Sequence, residues 1–203
     1  MNIIDKIVNI LTRPFEFFKG LKKEKGIKEA FIYFAVLSLL FTVLATIFGL
    51  LMQTFTTNVV SKLFGFAVPK EELSTGWIAF WAVIGYFVGL GLSFVWAGLL
   101  HVWILIFGGK GDYTKTYQLS VYAQTPKFVL GWFPFISYVI WIYDVILLII
   151  GTEKVHDVSK LRAILMYVIP IAVITILYIF IFAFAIVLLK SNPDILKQAM
   201  AAS

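Results

Sequence analysis

Four stretches of the chain run almost without charge: Ala30 to Met52 has none, Trp77 to Phe107 only His101, Phe128 to Gly151 only Asp144, and Ala163 to Leu189 none. About 20 apolar residues carry a helix across a bilayer core, so the pattern predicts membrane-spanning helices. A weaker segment, Tyr113 to Gly131, contains Gln118, Ser120, Gln124, Thr125, Pro126 and Lys127. It can cross only with its polar side against protein. Counting it, the expected fold is all-α, a polytopic bundle of five transmembrane helices. In the alternative, the third and fourth segments form a re-entrant hairpin turning near Lys127 to Phe133, which is tolerated where protein shields the backbone. The second run is about 46 Å long against a hydrocarbon core of about 30 Å, so it tilts or protrudes. The last span, from about Leu161 to Leu189, carries Pro170, which predicts a kink.

Ahead of the first run, Ile3, Ile4, Ile7, Val8 and Leu11 fall at helical spacing, with Asn2, Asp5, Lys6, Asn9, Thr12 and Arg13 on the opposite side. This is an amphipathic helix, and two placements are open to it. It can lie in the headgroup plane, drawn by the basic run that follows to Lys28, or pack on its own bundle.

Charge then fixes an expected orientation. With five spans, twelve Lys and Arg fall on the N-terminal side of the membrane and five on the other, the latter being Lys62, Lys70, Lys127, Lys190 and Lys197. The positive-inside rule places the N-terminus in the cytoplasm and the C-terminus outside. The same asymmetry accounts for a net charge of +6 without nucleic acid, which would call for basic residues interleaved with exposed aromatics on a folded surface.

Composition narrows the field further. Of 203 residues, 61% are hydrophobic and 14% charged. The polar pieces before the first run and from Gln53 to Gly76 fall below the roughly 40 residues at which a domain holds itself together, so no soluble domain is expected. No cleaved signal peptide is expected either, since many charges precede the first apolar run. With no cysteine, disulfides and thiol chemistry are excluded, and His101 and His156 make no metal cluster. The turn Gly108 to Gly111 lacks the spacing and preceding strand of a phosphate loop. Glu153 and Asp157 read as solvated loop carboxylates. No nucleophile, base and orienting group stand together, so no enzyme and no cofactor are expected.

Two constellations remain. Gly85, Gly89, Ser93, Ala97 and His101 recur every four residues, a ridge of small side chains that admits another backbone; it reads either as packing within the chain or as a homodimer seam. His101 and Asp144 each lie seven residues before a glycine, Gly108 and Gly151, about 10 Å in from the expected cytoplasmic face. Ser120, Tyr122 and Tyr167 fall near the same level. These five are expected to form a buried polar layer with Asp144 as acceptor. One reading of it is functional, as a proton or cation relay or a lipid-headgroup site; the other is a hydrogen-bonded cluster that fixes helix register. Trp77, Trp81 and Trp132 suit an outer aromatic belt and Trp103 an inner one, with Trp141 assigned to packing.

Several short motifs, in this order, resemble the Yip (Ypt-interacting protein) domain family. They are Arg13-Pro14-Phe15-Glu16-Phe17-Phe18, the glycine turn Gly108-Gly109-Lys110-Gly111-Asp112-Tyr113, and Tyr122-Ala123-Gln124-Thr125-Pro126. Trp132-Phe133-Pro134, Trp141, Gly151 and Val155 to Lys160 continue it. The resemblance implies residues 1–29 as a cytoplasmic segment, 30–190 as a five-span Yip-like membrane domain and 191–203 as a short external tail. For eukaryotic relatives it implies vesicle traffic and contact with Rab-type GTPases. The Asp-Leu-Tyr/Trp-Gly-Pro motif those relatives carry is absent, Lys28-Glu29-Ala30-Phe31 standing in its place, so GTPase binding does not carry over and the compact prokaryotic branch fits better. The expected role is that of a non-enzymatic membrane-organising or trafficking-like factor in the cell membrane. Its expected partners are lipids and either its own copies or other membrane proteins. A small transporter or channel built on Asp144 and His101 is the alternative.

Overall fold

A computed structural model describes residues 1–64 and 74–191, without the side chains of 53–64, 134, 135, 189 and 190. The side chains of Lys62 and Lys190 of the charge count, all of Lys70 and Lys197, and the 191–203 tail beyond Ser191 therefore lie outside what is described. Among the described residues the chain forms eight helices and no strand: α1 (Ile3–Thr12), α2 (Pro14–Leu21), α3 (Lys28–Phe64), α4 (Thr75–Ile106), α5 (Tyr113–Ala123), α6 (Thr125–Leu130), α7 (Pro134–Val155) and α8 (Lys160–Ser191). Among the described residues, four stretches are long and apolar enough to cross a membrane: Lys28–Met52, Thr75–Ile106, Ile136–Val155 and Lys160–Leu188. The chain divides into two compact units, Met1–Ala163 and Ile164–Ser203. The described part of the second is the remainder of α8, which continues as helix through Pro170.

Helix starts follow local chemistry. The side chains of Asn2, Ser74 and Asp112 cap α1, α4 and α5 by accepting main-chain N–H bonds from Asp5, Trp77 and Lys115. Pro14 and Pro134 open α2 and α7, where a missing N–H costs nothing.

The weak third segment divides at Gln124 into α5 and α6, with Pro126 in the first turn of α6. Proline has no N–H to offer the carbonyl four residues back. That carbonyl, on Tyr122, instead accepts from the Thr125 hydroxyl at 2.7 Å, and Thr125 in turn accepts from the Tyr33 hydroxyl at 2.9 Å. The break is therefore satisfied within protein, as a polar backbone group away from water must be.

Residues Thr116 to Ala123 of α5 are all buried. Helices α2, α3, α4 and α7 pack around it, so protein covers the polar segment on every side. Along α3 the contacts climb in register: Gln118 Nε2 donates to Gly26 O at 2.7 Å, Tyr122 meets Tyr33 ring to ring at 5.0 Å, Phe128 meets Phe34 at 5.3 Å, and Trp132 meets Phe48 at 6.0 Å. Helix α7 then returns antiparallel, bringing Gly151 back to Leu119. There a β-carbon on Gly151 would overlap Leu119 Cδ1 and come within 3.0 Å of Phe18, so glycine is what lets α2, α5 and α7 meet. Trp141, assigned to packing from sequence, is exposed.

The N-terminal segment packs on the bundle, but by an unexpected face. Lys6 and Ile10 are buried, while Ile4 and Val8 are exposed. Ile3, Ile7 and Leu11 are half-buried, so the inward edge combines part of the apolar stripe with Lys6 of the polar side, which has partners of its own.

Candidate functional site: polar clusters around helix α5

Those partners are Glu24, Glu29 and Tyr122. Lys6 Nζ lies 3.3 Å from Glu24 Oε2, 3.0 Å from Glu29 Oε2 and 2.7 Å from the Tyr122 hydroxyl, which donates to Glu24 Oε1 at 2.6 Å. The Lys6 side chain is 6% exposed and that of Glu24 18%; a buried ammonium is tolerable because carboxylates and a phenol surround it. Lys115 Nζ adds a second clasp, donating to Leu21 O at 2.7 Å and Gln118 Oε1 at 3.2 Å. Together these bonds tie α1, α2 and the loop before α3 to the central helix.

A second cluster closes the opposite flank of α5. His156 Nδ1 lies 2.8 Å from Lys110 O, so it carries the proton and donates, leaving Nε2 to accept from the Thr116 hydroxyl at 3.2 Å. Thr116 can then accept from His101 Nδ1 at 2.8 Å. The chain of bonds has one direction, from His101 through Thr116 to His156. Burial pushes the His156 imidazole below its ordinary value; the Lys110 carbonyl opposes this, His101 adds to it, and Asp112 and Asp157 oppose it. Asp157, on the rim, is held below the usual carboxylate range by the hydrogen bond from Lys22, at 2.5 Å. The glycine turn fits closely beneath: Gly108 and Gly111 take positive φ, and a β-carbon on Gly109 would overlap Ile104.

Of the five residues expected to share one layer, the four in the first unit fall into separate surroundings. His101 belongs to the threonine-histidine chain and Tyr122 to the Lys6 cluster. Ser120 turns back to its own helix, donating to Tyr117 O at 2.9 Å. Asp144 is buried, its Oδ1 has no hydrogen-bond partner, and the main-chain N–H of Lys127 faces its carboxyl group. Tyr167 belongs to the second unit. Counting residues from a helix end gives a depth but no direction around the helix, and direction separates these groups.

The small-residue ridge of α4 is likewise divided. Ser93 lies 3.2 Å from the Tyr117 hydroxyl and Ala97 is fully buried, both on the side where α5 packs. Gly85 and Gly89 face open space. Lys6, Glu24, Thr116 and His156 were missed from sequence because each reads as a surface residue on its own helix or loop. The one available signal was a lysine among isoleucines with two glutamates ahead of the first span.

This architecture, of long apolar helices around a short polar one buried from Thr116 onward, defines an integral membrane protein of the helical-bundle class. Residues 8–187 match the Yip1 domain, and the chain belongs to that family. It is similar to the uncharacterized protein MJ0794 of Methanocaldococcus jannaschii, 29% identical over 129 residues that cover 63% of this chain and 84% of the relative. That archaeal likeness agrees with a compact, prokaryotic-type member. No solved structure matches.

Proposed function

We propose that the chain is a five-pass, non-enzymatic organiser of the cell membrane, acting through contacts with lipids and with its own copies or other membrane proteins. Its N-terminal segment, residues 1–29, is cytoplasmic, residues 30–190 form the membrane domain and residues 191–203 lie outside. The third passage is α5 and α6 in tandem. The carrying observation is that partners of the third segment and the residue just beyond it run from Gly26, before α3, to Phe48 within α3, while α5 and α6 together, Tyr113–Leu130, reach about 27 Å at helical rise, close to a core of about 30 Å. What supports a scaffold over a conduit is that the polar side chains around α5 bond mainly to one another and to main-chain groups. A conduit would keep such groups free for water or ions.

Topology is the direct test. Because the chain has no cysteine, Asn2→Cys and Ser203→Cys give single labelling sites. Five crossings place them on opposite sides of sealed vesicles, so an impermeant maleimide labels one and spares the other; equal labelling from one side would reduce the count to an even number. Proton flux in proteoliposomes lost on Asp144→Asn would instead favour transport.

A further inference from the structure

Helix α1 meets the bundle along an edge, not along its apolar face. Successive residues turn by about 100° around a helix axis, which orders the side chains of α1 into a ring. Lys6 and Ile10 are buried and mark the direction of the bundle. Ile3, Ile7 and Leu11 follow on one flank, half-buried, and lead round to Ile4 and Val8, which are exposed. Asn2 and Asn9 take the other flank, with Asp5 and Thr12 beyond them. The apolar sector, from Ile10 round to Val8, is thus centred about a quarter-turn from the bundle, and the polar sector about a quarter-turn the other way. A helix that only packs on protein centres its apolar sector on the contact. An offset of this size suits a helix with three neighbours: protein on one side, an apolar medium on the second and water on the third.

Two bonds set the depth of that edge. Lys6 Nζ donates to Glu29, the second residue of α3, at 3.0 Å, and the Tyr143 hydroxyl donates to Leu11 O at 2.8 Å. Tyr143 stands eight residues before Gly151, about 12 Å along α7 from the expected cytoplasmic end of that span. A core of about 30 Å gives each leaflet about 15 Å of hydrocarbon. Between these two anchors α1 lies beside the outer part of the cytoplasmic leaflet, the level at which in-plane helices bury their apolar face. This placement rests on the cytoplasmic location of residues 1–29 proposed above. Exposed cations stand around the helix. Arg13, Lys19, Lys23 and Lys25 are exposed, and among the described residues none of them enters an ion pair. Residues 1–29 hold seven Lys and Arg against four Asp and Glu, an excess that suits anionic headgroups.

We propose that α1 is an in-plane membrane helix tethered to the bundle, its partner an anionic lipid surface. Ile4, Val8 and the half-buried Ile7 and Leu11 sink into the acyl region of the cytoplasmic leaflet, Asp5 and Asn9 face water, and Arg13, Lys19, Lys23 and Lys25 take the headgroups around it. The Lys6 cluster fixes the rotation of α1, and so the side it turns to lipid. A second copy of the chain fits this surface poorly. A ten-residue helix is about 15 Å long, and exposed Ile4 and Val8 offer far less than the roughly 800 Å² that each partner contributes to a stable protein interface. Lipid needs no minimum patch, since acyl chains cover whatever apolar surface reaches them. The spans already hold the chain in the bilayer, so α1 inserts without a separate association step.

The test places a bimane fluorophore on single cysteines of the full chain in lipid nanodiscs, where both faces are open to solvent: Ile4→Cys, Val8→Cys, Asp5→Cys and Asn9→Cys, made one at a time in a sequence without cysteine. Brominated acyl chains quench the labels at positions 4 and 8 several-fold more than those at 5 and 9, and aqueous iodide gives the reverse order. At equal mole fraction, brominated phosphatidylglycerol quenches the label at position 4 more than brominated phosphatidylcholine does. Arg13→Gln with Lys19→Gln, Lys23→Gln and Lys25→Gln removes that difference and keeps the order of positions. Labels at 4 and 8 open to iodide would overturn the proposal, by putting the stripe in water. Shielding of both labels from bromine and iodide alike would overturn it by putting protein there, and equal quenching by the two lipids would remove the anionic surface as partner. Quenching reads depth on whichever side residues 1–29 lie, so an error in the topology appears in the maleimide labelling and leaves the order of positions intact.

Discussion

At the scale of single residues, the bundle rests on a few polar groups whose partners are distant in sequence. Lys6 carries the sharpest consequence. Lys6→Met leaves the Glu24 carboxylate largely buried and unpaired, and loss of one member of such a pair costs about 3 kcal/mol; a clear fall in melting temperature in detergent is expected, against almost none for Lys22→Met. The Lys22–Asp157 pair is exposed, and exposed pairs contribute little. His156 sets a pH response. Its folded-state pKa is lowered from 6.5, so the fold holds fewer protons than the unfolded chain, and its contribution is full above that value and lost as pH falls below it. A second proton, on Nε2, would also face the Thr116 hydroxyl that now donates there. Thermal stability should decline from pH 6.5 toward pH 5, and His156→Asn should give a lower but flatter profile; an unchanged slope would remove His156 as the cause.

At the scale of elements, what sequence could reveal depended on whether an element meets lipid or protein. Long spans such as α4 and α8 were legible to within two residues, because lipid demands an unbroken apolar run and nothing else supplies one. The third segment was legible as needing a protein-covered polar side, and protein covers α5 from Thr116 to Ala123. Its division at Gln124 required knowing that Thr125 could serve the carbonyl that Pro126 abandons. The N-terminal helix shows a different limit: amphipathic spacing finds two faces, but that Lys6 joins Ile10 on the inward edge was decided by Glu24 and Glu29, outside the helix. Gly151 tests the packing of elements. Gly151→Leu must push α2 and α5 off α7, an overpacking cost of about 1–3 kcal/mol, read as a lower melting temperature with helix content retained. Gly85→Ala on the open part of α4 should leave stability unchanged.

At the scale of the whole molecule, the family and the membrane setting were readable from motif order and from the apolar runs, and the matched region confirms both. The candidate site was readable only in its members. Depth counting placed His101, Tyr122 and Asp144 in one half of the bundle, but their distribution over separate clusters depends on helix rotation, which hydrophobic periodicity hardly marks when apolar residues surround a helix on all sides. Opposite-side labelling at positions 2 and 203 belongs to this scale, since it reads all the passages at once.

The burial of Thr116 to Ala123 in α5 also bears on how the chain is made. During synthesis α3 and α4 leave the ribosome before α5, and each is apolar enough to settle in the bilayer by itself. Helix α5 is not: its Gln118 and Thr116 would be unpaired in lipid, and its tyrosines and leucine would be exposed in water. It finds its bonds only when Gly26, Glu24 and His101 are already positioned and when His156, more than 30 residues later in the chain, has emerged. These long-range bonds predict that α5 settles only after its partners are in place, so truncation before His156 should leave α5 more accessible to protease than in the full chain.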